Sequence, residues 1–223
     1  PGFQPVSTWK SSFTFAADLD LGFLGSRYNF TLDFLRGDIN NAVIWQDYRA
    51  GLKPQGYAPD GRPIYRNAAQ RGLFVTGTPT SDTGSDYILT NSKEGWQQTL
   101  AVSLSKAFDY GIDGSLSYAF NRAKDVNPGI SSTASTNFAG AATADPQHPG
   151  LATSNFEIKN SFKGRFSWTH EFFGDNKTNV TVFAELRSGL PFSYVYNVAN
   201  AATGIGLWGD AGAGGATSQG RQL

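Results

Sequence analysis

The sequence predicts an all-β fold, and within that class an antiparallel segment of a transmembrane β-barrel. Apolar and polar residues alternate with a period of two over segments of ten or more residues, which is typical of strands with one apolar face. These segments exceed the usual strand length of about five to six residues. Their connections alternate between short and long, as in bacterial outer-membrane barrels, where periplasmic turns are short and external loops long.

Six strands are predicted, at 9-21, 27-48, 87-108, 112-125, 155-173 and 178-196. Short turns are predicted at 22-26, 109-111 and 174-177, and external loops at 49-86, 126-154 and 197-223. In the second strand the apolar side chains change parity near Gly37, which predicts a β-bulge there. Aromatic residues flank the short turns, as the interfacial girdle of a barrel requires.

A soluble antiparallel sandwich would show the same alternation, because one face of each of its sheets meets a core. The strand lengths, the aromatic residues beside the turns and the regular change from short to long connections favour the barrel.

The composition excludes several classes of protein. Among 223 residues, 18 Lys and Arg balance 18 Asp and Glu, so the basic surplus of a nucleic-acid-binding protein is missing. The absence of cysteine excludes a disulfide framework, a Cys-ligated metal and a thiol nucleophile. No apolar run reaches the roughly 18 residues of a transmembrane helix. Without an initiator methionine or a signal peptide, we expect a mature or partial product.

Several stretches carry a family resemblance. They lie at 6-12 (VSTWKSS), 28-33 (YNFTLD), 123-128 (AKDVNP), 151-156 (LATSNF), 171-178 (EFFGDNKT) and 187-194 (RSGLPFSY). In this order they resemble the barrel of TonB-dependent receptors of the Oar-like group, which often carry an N-terminal carboxypeptidase-regulatory-like domain.

The resemblance implies a 22-stranded barrel in the bacterial outer membrane, closed around a plug domain on which TonB acts. The plug and the TonB-contacting segment are not among these 223 residues, so we expect 1-223 to be an internal segment of such a barrel. Its partners would be outer-membrane lipid, the remaining strands and the plug, with the TonB complex as an indirect partner. The expected function is binding a ligand and moving it across the outer membrane. The group is also linked to surface and export roles.

The residues reveal no catalytic constellation, so we expect neither an enzyme nor a bound cofactor or metal. His148 lies in a turn-rich loop, and His170 has the parity of the apolar face; neither is suited to a catalytic triad. Three alternatives to the transporter stay open. They are a porin without a plug, a soluble β-sandwich that acts as a surface binding module or adhesin, and a barrel enzyme, which would need a triad or dyad at the rim.

Two groups of residues are candidates for ligand contact. Charged residues with lumen-facing parity, expected to contact a plug or a ligand, are Arg27, Asp33, Lys159, Lys163, Arg165, Glu185 and Arg187. The first external loop combines cationic and aromatic residues suited to an anionic or carbohydrate ligand, namely Arg49, Tyr57, Arg62, Tyr65, Arg66 and Arg71.

Overall fold

The computed structural model describes residues 2–48, 50–57, 61–65, 86–129, 131–139 and 141–194. The strands are β1 (Ser7–Leu19), β2 (Tyr28–Asp47), β3 (Gly56–Tyr57), β4 (Pro63–Ile64), β5 (Tyr87–Ser92), β6 (Trp96–Ala107), β7 (Ile112–Asp125), β8 (Ala152–Thr153), β9 (Asn160–Phe173) and β10 (Asn176–Arg187). One short helix, α1, spans Ala134–Ala139 in the described part of the chain. The predicted all-β class is confirmed.

The main sheet is open and antiparallel, with the order β1-β2-β6-β7-β9-β10. Strand β5 pairs with the C-terminal part of β2, and β8 pairs with the end of β7. Strands β3 and β4 pair only with each other. The six main strands therefore pair in chain order, with short turns in three of the connections and long segments between β2 and β6 and between β7 and β9.

The predicted strand 87-108 is interrupted. Strand β2 pairs with β6 from Asn29↔Ser105 to Asp38↔Trp96, and then with β5 from Ala42↔Ser92 onwards. Three residues separate the two ladders on each strand, so the register does not shift. At the gap the backbone N–H of Ile39 donates to the carbonyl of Gly95 at 2.9 Å.

The predicted bulge at Gly37 is wrong. Gly37 stays in register with both Lys10 and Gln97. The slip lies between Ser7 and Thr8, because Thr8 pairs with Ile39 whereas Ser7 pairs with Asn41, so that Asn40 of β2 is skipped. A change of side-chain parity shows that one residue is extra, but only the partner strand decides which one.

The two faces of the sheet differ in chemistry. Its apolar face contains one residue of each main strand in a continuous row, formed by Phe15, Leu32, Val102, Tyr118, Phe162 and Leu186. Tyr118 is 43% exposed and Leu186 is 71% exposed. Three of the buried apolar residues instead form a small cluster near the long-loop end, where Ala42, Ile44 and Val126 meet Ile39.

All three short turns lie at one end of the sheet, and the long connections lie at the other. The tightest constraint is at Gly111, between β6 and β7, where φ is +72°. A Cβ atom there would lie 2.1 Å from the carbonyl oxygen of Thr169, so only glycine fits. In the described part of the chain, no helix has both the length and the apolarity needed to span a membrane.

Candidate functional site

The charged residues of the polar face form two cross-strand ion pairs. Lys163 of β9 and Glu185 of β10 lie directly opposite each other, with Nζ 3.8 Å from Oε1. The Arg165 guanidinium pairs with the carboxylate of Asp113 on β7. Three of the predicted lumen residues therefore lie close together, and they include a partner, Asp113, that was not among the predicted contacts. Its parity on β7 was the available signal.

The other predicted lumen residues lie apart from this group. Asp33 lies on β2, two strands from β7, and accepts a hydrogen bond of 2.7 Å from Thr14 on β1. Arg27 lies in the β1–β2 turn with a φ of +63°, and Lys159 precedes β9. Arg187 ends β10. The seven predicted residues are thus spread over strands near both edges of the sheet and over both strand ends, and do not form one group.

A hydroxyl and amide network lies beside the ion pairs, nearer the short turns. The Asn179 amide donates to Ser167 Oγ at 2.9 Å and to Thr169 Oγ1 at 2.8 Å. Thr181 Oγ1 donates back to the Asn179 carbonyl oxygen at 2.8 Å. This part of the polar face is ordered by neutral groups, which hold β9 and β10 together without a charge.

On the apolar face, a cation–aromatic belt lies towards the long loops, formed by Arg36, Asp38, Gln98 and Trp96. The Arg36 guanidinium stacks 4.6 Å from the centre of the Trp96 ring. It also donates to Asp38 Oδ1 at 2.9 Å and to Gln98 Oε1 at 3.3 Å. We call these four residues the upper belt. The guanidinium thus has two acceptors, Asp38 and Gln98, and the Trp96 ring lies beside it.

A second belt lies at the short-turn end of the same face. Lys106 Nζ is 4.3 Å from the centre of the Tyr28 ring and 4.9 Å from that of Phe108. Across the sheet, His170 stacks on Trp168 at 5.5 Å and meets Phe172 edge-on at 4.8 Å. We call these six residues the lower belt. His170, which the sequence assigned to the apolar face, lies among its aromatic residues.

The long loops are joined to β2 by Gln147, whose side chain is almost completely buried at 1% exposure. Its Oε1 accepts from the backbone N–H of Asp47 at 2.8 Å, and its Nε2 donates to the carbonyls of Asp47 and Gly51 at 2.7 and 2.8 Å. The side chain of Gln46 donates to the carbonyl of Gln147 at 2.9 Å. The amide therefore pairs with β2 as another strand would.

We call Gln147, together with its hydrogen bonds to Asp47 and Gly51, the Gln147 clamp. Next to it, residues from two loops form a polar cluster. The Tyr65 hydroxyl donates to Asp145 Oδ1 at 2.9 Å and lies 3.2 Å from Nδ1 of His148. His148 Nδ1 is also 3.4 Å from Asp145 Oδ2. The sequence pattern left His148 as an isolated loop residue, and no spacing rule connects it with a tyrosine 83 positions away.

The predicted contacts of the first loop have different surroundings. Tyr57 is exposed, whereas Arg62 and Tyr65 are buried among loop residues. Arg62 and Tyr65 therefore pack within the loops, and their contact with a ligand stays a prediction. Arg49, Arg66 and Arg71 lie outside the described residues.

Glu157 joins the start of β9 to β7. Its buried carboxylate accepts the backbone N–H of Ala123 at 2.7 Å and lies 3.7 Å from Nε of Arg122. The Glu157 N–H in turn donates to the carbonyl of Ser154 at 3.0 Å. This turn is why the predicted strand 155-173 begins only at Asn160.

A pocket of about 280 Å³ opens between the end of β7, the connection from β7 to β9 and the segment after β10. Within the described ranges, no group of three or more His, Cys, Asp or Glu residues is arranged to hold a metal ion.

Comparisons with protein-family models, with curated proteins and with solved structures find no match to this chain.

Proposed function

We propose that this sheet is a section of the wall of a bacterial outer-membrane β-barrel. We further propose that the protein is a TonB-dependent receptor that binds a ligand and moves it across that membrane. The observation that carries the barrel is the exposed apolar band between the upper and lower belts. Exposed apolar surface of this extent needs a partner, and hydrocarbon with headgroups on either side matches a band between two cation–aromatic belts.

The height of the band supports the proposal. On β6, Gln98 of the upper belt and Lys106 of the lower belt are eight residues apart, with Leu100, Val102 and Leu104 between them on the same face. At about 3.3 Å per residue and a strand tilt of about 40°, this separation spans about 20 Å along the membrane normal. The apolar band of an outer-membrane barrel is about 25 Å tall. The Arg36 guanidinium and the Lys106 ammonium group would then lie at the two lipid headgroup layers.

The edges of the sheet indicate what completes the wall. Among the described residues, β1 and β10 are each paired along one edge only. Unpaired backbone groups are costly in hydrocarbon, and a closed barrel avoids them. We therefore propose that further strands pair with β1 and β10 in the membrane, and the family resemblance suggests a total of 22. The outer edges of these two strands would then carry ladder hydrogen bonds.

The transport role is carried by the polar face and by the family resemblance. In a barrel, the face opposite the lipid lines the lumen. Here it presents the pairs Lys163–Glu185 and Arg165–Asp113. In a plugged receptor these side chains would contact the plug or line the route of the ligand. The proposal assigns no catalytic role to the chain.

The first experiment is fractionation of the native cells, with the intact mass of the protein measured in the outer-membrane fraction. We expect a product about four times the mass of these 223 residues, as a plugged 22-stranded barrel would require. Recovery in the soluble fraction without detergent would contradict the wall and would favour the β-sandwich binding module.

A second experiment separates a TonB-dependent receptor from a porin. The full-length protein is reconstituted into planar bilayers, and its binding to the periplasmic domain of TonB is measured by crosslinking. A receptor would crosslink to TonB and conduct little current, because a plug fills its lumen. Steady conductance without TonB crosslinking would favour the porin and remove the transport proposal while leaving the wall intact.

A further inference from the structure

The pocket at the long-loop end is lined mostly by small, apolar and neutral polar residues, with one carboxylate among them. Asp125 and Val126 come from the end of β7, Ala142 and Thr143 from the connection that follows, Asn155 from the segment before β9, and Phe192 from the segment after β10. The volume of about 280 Å³ lies just below the range of about 300–1,000 Å³ that is usual for small-molecule sites. An occupant would therefore be small.

The only charged residue in this lining is Asp125. The residue is partly buried, and no described residue gives its carboxylate a hydrogen bond or an ion pair. A carboxylate partly removed from water is unfavourable unless a cation or hydrogen-bond donors compensate for the lost hydration. The pocket supplies no such cation from the described part of the chain.

The remaining lining suits a cation that also has apolar surface. Phe192 contributes an aromatic ring that meets Tyr194 edge-on, with ring centres 5.3 Å apart. The face of such a ring attracts cations through its quadrupole. Thr143 and Asn155 add neutral oxygen acceptors, and Ala142 adds a small apolar side chain.

We infer that this pocket binds a small organic ammonium cation, held by the Asp125 carboxylate and by the Phe192 ring. A neutral polyol would leave the carboxylate without a counter-charge, so the charge of the pocket selects against it. The inference goes beyond the proposed transport function and does not depend on it. The lining has the same chemistry whether the sheet lies in a membrane or in water.

The test uses two probes of nearly the same shape, choline and its uncharged analogue 3,3-dimethylbutan-1-ol. Both are titrated onto the purified full-length protein, and saturation-transfer NMR monitors their equivalent methyl groups. We expect choline to bind about tenfold or more tightly than the alcohol, because charge-assisted and cation–π contacts act only on the cation. Equal affinity of the two probes, or no saturation transfer to choline, would overturn the inference.

Three variants localise the effect. Asp125→Asn should remove the preference for choline, and Phe192→Ala should weaken choline binding severalfold. Phe192 is exposed, so its removal leaves the fold intact. The matched control is Asp175→Asn, in the exposed β9–β10 turn at the opposite end of the sheet, which should bind choline as the parent does. An unchanged preference in Asp125→Asn would place any binding elsewhere and refute the site.

Discussion

Replacing Val102 by arginine tests the assignment of the apolar face. Val102 lies on β6 four residues from Gln98 of the upper belt and four from Lys106 of the lower belt. It is therefore at the middle of the band, about 10 Å from either headgroup layer for a strand tilted by about 40°. We expect Val102→Arg to lower the free energy of unfolding by about 2–4 kcal/mol. That loss reduces the ratio of folded to unfolded protein roughly 30- to 700-fold.

The matched control is the next residue along the strand. Ser103 points to the polar face, where its cross-strand neighbours are Thr31 and Ser117. Both are short, so a long side chain has room, and Ser103→Arg should change stability by no more than about 0.5 kcal/mol. Leu100→Arg, one row closer to the upper belt, should cost less than Val102→Arg because the penalty falls towards the interface.

The assay is urea unfolding of the full-length protein refolded into phosphatidylcholine vesicles, followed by tryptophan fluorescence. The midpoint should shift while the slope of the free energy against urea concentration stays constant. Equal losses for Val102→Arg and Ser103→Arg would refute the assignment of one face to lipid, and would indicate a sheet that is packed against protein on both sides.

Three further predictions concern single contacts. Gln147→Ala removes three hydrogen bonds, two of them buried, so we expect a local loss of about 2–4 kcal/mol and faster amide hydrogen exchange at the end of β2. Exchange at the centre of the sheet is the internal control. Gly111→Ala places a methyl group against the Thr169 carbonyl at positive φ, and thermal unfolding should show a loss of several kcal/mol; an unchanged midpoint would contradict the turn geometry. Glu157→Gln keeps the shape but removes the charge opposite Arg122, and a loss of about 1 kcal/mol in a urea titration is expected; a gain would mean that burying the carboxylate costs more than its hydrogen bond and ion pair contribute.

The sequence predicted the main strands because alternation with a period of two is a direct consequence of a sheet with chemically different faces. The prediction failed where alternation and pairing disagree. Phe156 and Ile158 continue the apolar parity of β9 backwards, yet the strand begins at Asn160 because Glu157 folds into a turn with Ser154. A buried carboxylate that binds a backbone N–H of another strand leaves no local pattern.

The candidate site was less predictable than the strands. Lys163 and Glu185 have matching parity on neighbouring strands, but the register shifts by one residue between Asn176 and Lys177, so the position of the turn alone does not give their pairing. The cluster of Tyr65, Asp145 and His148 depends on where two long loops meet. Loop–loop contacts are set by tertiary packing over some 80 residues of separation, and neither periodicity nor local spacing encodes them.

The Gln147 clamp limits how the long-loop end of the sheet can move. It attaches the β7–β9 connection to the end of β2, the part of β2 that pairs with β5, by hydrogen bonds that resemble those of a sheet ladder. The connection cannot swing outward alone, because the three side-chain bonds would have to break together. Displacement of this connection would pull on the β2 end directly. At this end of the sheet the β7–β9 connection and the segment that follows β2 are held together. Any opening movement there would therefore move both of them at once.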